Sequence, residues 1–203
     1  MKIIRSLFTV AVAGLVSFSA LADNGKKGPQ TLKVDTKASS FNWIGKKITG
    51  EHNGTINIQS GSLAVDGDKL VGGDFVIDIN SIKVVDLKDA EYNAKLTGHL
   101  KAPDFFDAAK YPTASFKITK ATPKGGANYD IAGNLTINGV TQAITFPATV
   151  SVDKKGSATA TAKFEVDRTK FGSKYASKSF FDAIGDKAIH DNFLVDVKLV
   201  AAK

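Results

Sequence analysis

The chain contains no cysteine among its 203 residues, and this absence excludes several kinds of protein. Without a thiol there is no disulfide framework, no thiolate metal site, no cysteine nucleophile and no lipid-anchored N-terminal cysteine. Histidine is also scarce: His52, His99 and His190 are the three in the chain, and none has the spacing of a metal-binding pair. The sequence therefore predicts neither a metal site nor another cofactor.

Motifs of the common enzyme classes are missing as well. The sequence has no Gly-x-Ser-x-Gly nucleophile elbow, no P-loop and no dinucleotide-binding glycine fingerprint. Aspartates are plentiful, but a catalytic pair cannot be inferred from linear order, and turns and caps explain such residues equally well. We therefore predict no catalytic residues and a protein that is not an enzyme.

The N-terminus has the pattern of a secretory signal peptide over residues 1–22. Lys2 and Arg5 supply the positive start, and residues 7–18 form an apolar stretch too short to span a bilayer. Ala20-Leu21-Ala22 provides the small residues of a bacterial cleavage site, and no cysteine follows it. We expect cleavage after Ala22 and a periplasmic protein.

The export signal changes which partner the formal net charge of +7 predicts. That charge alone favours a nucleic-acid partner, but Lys2 and Arg5 leave with the signal peptide, and export separates the protein from nucleic acid. We predict no nucleic-acid partner and a mild preference for anionic lipid. Residues 23–30 are polar and predict a flexible leader, and residues 31–203 predict one folded domain.

Most of this domain alternates between apolar and polar residues with a period of two, which is typical of half-buried antiparallel strands. Phe75 and Ile77, for example, alternate with Asp78, and the Asn138-Gly139 pair predicts a tight hairpin. Residues 86–107 break the pattern and predict a helical crossover, with a second turn or short helix from Pro103. An all-β barrel or sandwich with one helical segment fits this order.

The segment Ser157–Asp167 places Ala158, Ala160 and Ala162 in succession on its apolar face. Small residues leave volume that a tightly packed core normally fills. Two explanations stay open from the pattern alone: large neighbours fill the space, or the space is an apolar cavity that holds a ligand. An outer-membrane barrel is disfavoured, because the polar faces carry charged residues where lipid-facing side chains are required.

From Thr31 onward the chain resembles the YceI-like family of bacterial periplasmic lipid-binding proteins. The resemblance rests on an ordered set of short matches that together cover nearly the whole domain: Val34-Asp35, Phe41 to Lys46, Gly50 to Gly54, Gly72 to Asp78, Ser81-Ile82, Leu96 to Lys101, Asp104 to Asp107, Tyr111 to Phe116, Gly133 to Thr141 and Asp167 to Gly172.

The resemblance implies a lipocalin-like antiparallel β-barrel of about eight strands around an apolar tunnel. It implies a non-enzymatic protein that carries or stores a polyisoprenoid or another long-chain lipid, without stable membrane insertion. Two alternatives stay open: an enzyme acting on an isoprenoid lipid or its pyrophosphate, and a solid-core structural or stress-linked interaction protein. A homodimer also stays open.

Inward strand faces then predict the residues that line the tunnel. These are Trp43, Phe75, Ile77, Tyr129, Ile131, Phe146, Ala160, Phe164 and Val195 on strands, with Phe105, Phe106 and Phe116 lining or gating an end. Candidates for contact with a polar head group are Lys46, His52, Asp78, His99 and Arg168, although each of them also suits a structural hydrogen-bonding role.

Overall fold

The structure is a computed structural model that describes residues 28–153, 155–181 and 183–203. The predicted signal peptide and the larger part of the predicted leader lie outside these residues.

The described chain forms one antiparallel sheet that closes on itself. It contains nine strands, and pairing of β3 with β4 and of β1 with β9 closes the sheet. The strands are β1 (Gln30–Val34), β2 (Ser40–Lys47), β3 (Gly50–Asp66), β4 (Lys69–Val84), β5 (Thr113–Gly125), β6 (Asn128–Ile137), β7 (Val140–Val152), β8 (Ala158–Asp167) and β9 (Ile189–Ala202).

Two short strands share one position in the barrel. The 17-residue β3 pairs with β2 through its first half and with β1 through its second half, and both partners also pair with β9. The turn between them is held by Asp35, whose side chain accepts hydrogen bonds from the backbone N–H groups of Lys37 and Ala38. The result is a closed eight-stranded barrel, which confirms the predicted lipocalin-like fold class.

The hairpin predicted at Asn138-Gly139 joins β6 to β7. Ile137 pairs directly with Val140, so the loop has two residues, and both have positive φ, 51° at Asn138 and 71° at Gly139. Asparagine and glycine tolerate this conformation, and its twist matches the twist of paired strands. The hairpin therefore fixes the register of two long barrel strands.

The predicted helical crossover is present as α1 (Ala90–Lys101) between β4 and β5. Asp89 caps its start, because its side chain accepts hydrogen bonds from the N–H groups of Glu91 and Tyr92. The second element predicted from Pro103 forms turns rather than a helix. It nevertheless presents Phe105 and Phe106 to the barrel end that α1 covers.

The buried apolar side chains form two clusters, and α1 covers one of them. In the other cluster, Leu32, Leu63, Val65 and Ala201 are almost wholly buried and close one end of the barrel. We call this the closed end. The opposite half contains Trp43 together with residues of α1 and its following turn. The strand ends there, α1 and the loop before β9 form what we call the mouth end.

Candidate functional site: the apolar cavity of the barrel

The barrel encloses a cavity of about 250 Å³, measured as room for the centre of a water-sized sphere. One water needs about 10–15 Å³ on that measure, so the space is far larger than a packing defect. Its wall is almost entirely carbon. The barrel is therefore not packed solid, which contradicts the solid-core alternative.

Small side chains of β7 and β8 create part of this space. Ala148 pairs with Ala162 and Val150 with Ala160 across the two strands, and all four line the cavity. Because successive strand residues point to opposite faces, Thr159 between the alanines faces outward and is exposed. Two of the three alanines identified in the sequence, Ala160 and Ala162, thus belong to the cavity wall, and Ala158 is buried beyond it.

Aromatic rings cover other parts of the wall. Phe146 and Phe164 stack with ring centroids 3.9 Å apart, and Phe116 lies 5.4 Å from Phe146. The Phe116 ring lies against Gly133, where an added Cβ would be 2.4 Å from Phe116 Cζ. Trp43 lies against Gly54 in the same way, at 2.4 Å from its Cζ2. The two glycines let large rings lie flat against the strands instead of filling the cavity.

The cavity reaches the surface at the mouth end. Lys46, Lys47 and His190 are exposed there and also line the cavity. The ladder between β2 and β9 shifts register between Gly45 and Lys47, and this irregularity lets two consecutive lysines border the opening. Leu96 and Leu100 of α1 cover its other side. The charged and imidazole side chains that line the cavity therefore lie at this end.

His52 borders the opening and is held by Asp86. Its Nδ1 lies 2.7 Å from Asp86 Oδ2, and the N–H of Asn53 donates to Asp86 Oδ1 at 2.9 Å. Burial acts to raise the pKa of Asp86, but these hydrogen bonds outweigh it and the pKa is lowered. The carboxylate is therefore charged, Nδ1 is the donor, and Nε2 of His52 is left for another partner.

Arg168 also borders the cavity, but its guanidinium is 5% exposed and bonded to backbone. Nε donates to the carbonyl of His190, Nη1 to Ser173 and Nη2 to Ile189. Burial lowers its pKa, and Asp191 nearby acts in the opposite direction. These contacts tie the 3-10 helix Arg168–Phe171 to the start of β9. These contacts give Arg168 a structural role. The sequence suited both this role and contact with a head group.

All but one of the residues predicted to line the tunnel are in the cavity wall. The wall contains Trp43, Phe75, Ile77, Phe105, Phe106, Phe116, Ile131, Phe146, Ala160, Phe164 and Val195. Tyr129 is the exception: it is buried near the closed end, where its hydroxyl accepts a hydrogen bond from the Leu70 N–H at 3.4 Å. Tyr129 points inward as expected, but at a level where the core is filled.

Two head-group candidates lie outside the cavity wall. Asp78 stands between Ile77 and Ile79, which both line the cavity, so alternation turns it to the outer face. There it accepts a hydrogen bond from the Asn80 N–H at 3.0 Å. His99 lies near the end of α1, 3.2 Å from Asp104 and with its ring 4.9 Å from that of Phe105, beside a shallow depression that adjoins the mouth at His52.

The sequence did not identify Lys47 and His190 as residues of the opening. Lys47 pairs with Ile189 and so lies beside His190, but this contact joins distant parts of the chain. Its position directly after Lys46, a predicted head-group candidate, is the only local sequence signal for Lys47. Nothing in the local sequence distinguishes His190 from an ordinary surface histidine.

Other kinds of site are not found among the described residues. In that part of the chain no cluster of histidine and acidic residues has the arrangement of a metal site. Likewise, no described helix has the length and apolar character needed to cross a bilayer.

A closed eight-stranded barrel around an apolar cavity is the architecture of lipocalin-like binding proteins. The YceI-like domain model matches residues 32–201, and the chain belongs to the YceI-like family. This confirms the resemblance seen in the sequence.

Relatives occur in Vibrio and Shewanella species. A UPF0312 protein of Vibrio cholerae (strain M66-2) is 30% identical over 147 residues, which span 71% of this chain and 72% of that protein. A UPF0312 protein of Vibrio vulnificus (strain YJ016) is 41% identical over 83 residues. That match spans 37% of this chain and 44% of the relative, which is less than half of its length.

Solved structures show the same barrel. BcnA of Burkholderia cenocepacia superposes with a TM-score of 0.66 and 25% identity, covering 83% of this chain and 99% of BcnA. A polyisoprenoid-binding domain from Saccharophagus degradans, implicated in plant cell wall breakdown, gives a TM-score of 0.64 over 84% of this chain and 97% of that domain. At 16% identity, the second likeness shows the fold alone.

Proposed function

We propose that this protein is a periplasmic carrier or store that holds one polyisoprenoid or similar long-chain lipid in its barrel. The observation that carries the proposal is a large cavity with a carbon wall, closed at one end and bordered by polar groups at the other. An amphiphile with a long apolar tail matches this distribution of surfaces. The polyisoprenoid-binding domain of Saccharophagus degradans, which shares the barrel, supports the same ligand class.

The apolar wall stabilises a bound lipid tail but discriminates little between tails of different structure. Each buried CH₂ contributes about 0.8 kcal/mol, so a five-carbon isoprene unit contributes about 4 kcal/mol of gross transfer free energy. Observed affinities saturate near about −18 to −21 kcal/mol, and ordering costs absorb the remainder for a long chain. We therefore expect discrimination by chain length and by head group, and little discrimination by the detailed structure of the tail.

The head group belongs at the mouth in this proposal. Lys46, Lys47 and His190 are exposed there. His52 is bonded to Asp86 through Nδ1, so its Nε2 is left for a head group. Two ammonium groups and hydrogen-bonding imidazoles suit an anionic or oxygen-rich head group. Arg168 positions the start of β9, and with it His190, through backbone hydrogen bonds.

The periplasmic location follows from the predicted signal peptide over residues 1–22. Intact-mass measurement of the exported protein tests it: we expect a mature chain that begins at Asp23. A secreted chain that retains Met1 would contradict the predicted cleavage.

The ligand proposal is tested by purifying the protein without detergent and extracting it with organic solvent. Mass spectrometry should find an isoprenoid or other long-chain lipid at a ratio approaching one molecule per barrel. A delipidated sample should take up an added isoprenoid alcohol or its phosphate. Extracts free of lipid, combined with no uptake of either compound, would contradict the proposal.

A further inference from the structure

Exposed apolar side chains are concentrated at the mouth end. Within the described residues, the large hydrophobic side chains that remain exposed lie at this end, with Val71 near the closed end as the exception. Isolated exposed hydrophobic residues are normal on any protein, but their concentration around one opening marks an interaction surface.

Four of these side chains stand on a hairpin tip and a loop that are hydrogen-bonded to the same segment at the start of β9. Ile48 lies at the β2–β3 turn, and Tyr175, Phe180 and Phe181 lie in the loop that precedes β9. Backbone hydrogen bonds join the tip and the loop. The N–H of Ile48 donates to the carbonyl of Ala188, and the N–H of Ile189 donates to the carbonyl of Ala176. Together with Lys47, Lys174 and Lys178 we call them the docking face.

Positive charge is interleaved with the aromatic rings of this face. Residues 168–181 contain Arg168, Lys170, Lys174 and Lys178 and no acidic residue. Lys174 Nζ lies 4.5 Å from the centre of the Phe180 ring, so a cation and an exposed ring occupy the same patch. Aromatic residues with lysines are the combination that favours the interface between a bilayer and water.

The docking face is continuous with the cavity. The Tyr175 ring lies 5.6 Å from that of Phe105, which lines the cavity, and 4.7 Å from His99 on α1. On the hairpin side, Lys47 belongs to both the face and the opening. A surface that contacts this face therefore also covers the mouth.

We propose that the docking face seats the mouth on an anionic lipid bilayer. Burial of the rings at the head-group level supplies apolar contact, and the lysines supply attraction to anionic phosphates. The rings stand on a loop and Ile48 stands on the neighbouring hairpin tip, an arrangement suited to shallow insertion into a lipid surface. Exchange of lipid between bilayer and cavity at this contact rests on the proposed function, whereas docking itself does not.

Sedimentation with vesicles tests the docking face. The purified protein should bind vesicles of phosphatidylethanolamine and phosphatidylglycerol, and much less strongly those of phosphatidylcholine. The double variant Lys174→Gln/Lys178→Gln should weaken binding roughly 30-fold, since one lysine near an anionic surface changes binding about five-fold. The double variant Phe180→Ser/Phe181→Ser should also weaken binding, because it removes the exposed rings.

Matched controls exist at other sites of the barrel. Ile48 and Val71 are both 46% exposed, so Ile48→Ser should weaken vesicle binding while Val71→Ser should not. Lys69→Gln/Lys120→Gln removes the same charge from exposed positions outside the face and reports the general electrostatic effect. Circular dichroism identifies any variant that does not fold.

Three results would overturn the proposal. The wild-type protein could fail to bind anionic vesicles, or the docking-face and control variants could lose binding equally. The third is binding of equal strength to vesicles of every composition. Lipid content is measured by mass spectrometry in the same preparations. Docking variants should keep their bound lipid. Loss of vesicle binding with full lipid content therefore separates failure of docking from failure of the proposed ligand function.

Discussion

Replacing Ala160 with tryptophan should block the cavity while leaving the outer surface of the barrel unchanged. Ala160 lies in the middle of the wall, with Val150 beside it on β7 and Leu199 on β9, and it is 8% exposed. All three side chains line the cavity. An indole at this position has no direction to take except into the space that the lipid tail would occupy.

The expected loss of lipid affinity follows from the number of tail carbon atoms that the indole displaces. An indole adds roughly nine heavy atoms, about the size of two isoprene units, which together contribute about 8 kcal/mol of gross transfer free energy. If ordering costs offset about half of this, the loss of binding is about 4 kcal/mol, or nearly a thousand-fold in affinity. We expect the purified variant to contain little or no long-chain lipid.

The assay is lipid per mole of protein in organic extracts of wild type and variant. Thr159→Trp is the matched control, because Thr159 precedes Ala160 on β8 and faces outward. Ala162→Leu adds fewer atoms to the wall and should give a partial loss. A folded Ala160→Trp protein with unchanged lipid content would refute the placement of the tail in this cavity.

Two further predictions concern stability. Gly133→Ala should destabilise the barrel by about 1–3 kcal/mol in urea unfolding, because the new Cβ would lie 2.4 Å from the Phe116 ring. Gly72→Ala, whose Cβ would meet Ala64 at 3.6 Å, should change stability little, and equal effects would contradict the argument. Asp86→Asn should destabilise the protein at pH 7, because the lowered pKa of Asp86 stabilises the fold at pH values above the unfolded pKa. The gap to wild type should begin to narrow as the pH falls below about 4 and should close as the pH passes the lowered pKa of the folded state, and a gap that does not narrow at all below about pH 4 would show that the carboxylate charge is not the cause.

The cavity wall was predictable because strand geometry is local. Once Phe75 and Ile77 are assigned to a strand, alternation places them on one face, and the closed barrel turns that face inward. The Asn138-Gly139 turn fixes the register of its hairpin for a similarly local reason. The same logic already pointed Asp78 outward, since it alternates with Ile77. Its selection as a head-group candidate conflicted with the strand pattern.

The ends of the cavity were not predictable, because they depend on contacts between distant residues. His52 reaches Asp86 across 34 positions of sequence, and Arg168 reaches the carbonyls of Ile189 and His190 more than 20 positions away. Which strand ends meet also decides that Tyr129 lies near the closed end, beside Leu70, rather than in the wall. Period-two alternation specifies the face of a side chain but not its level along the barrel axis. A role that depends on the position of a residue along the barrel axis, such as contact with a head group at the mouth, therefore has to be derived from the closed barrel.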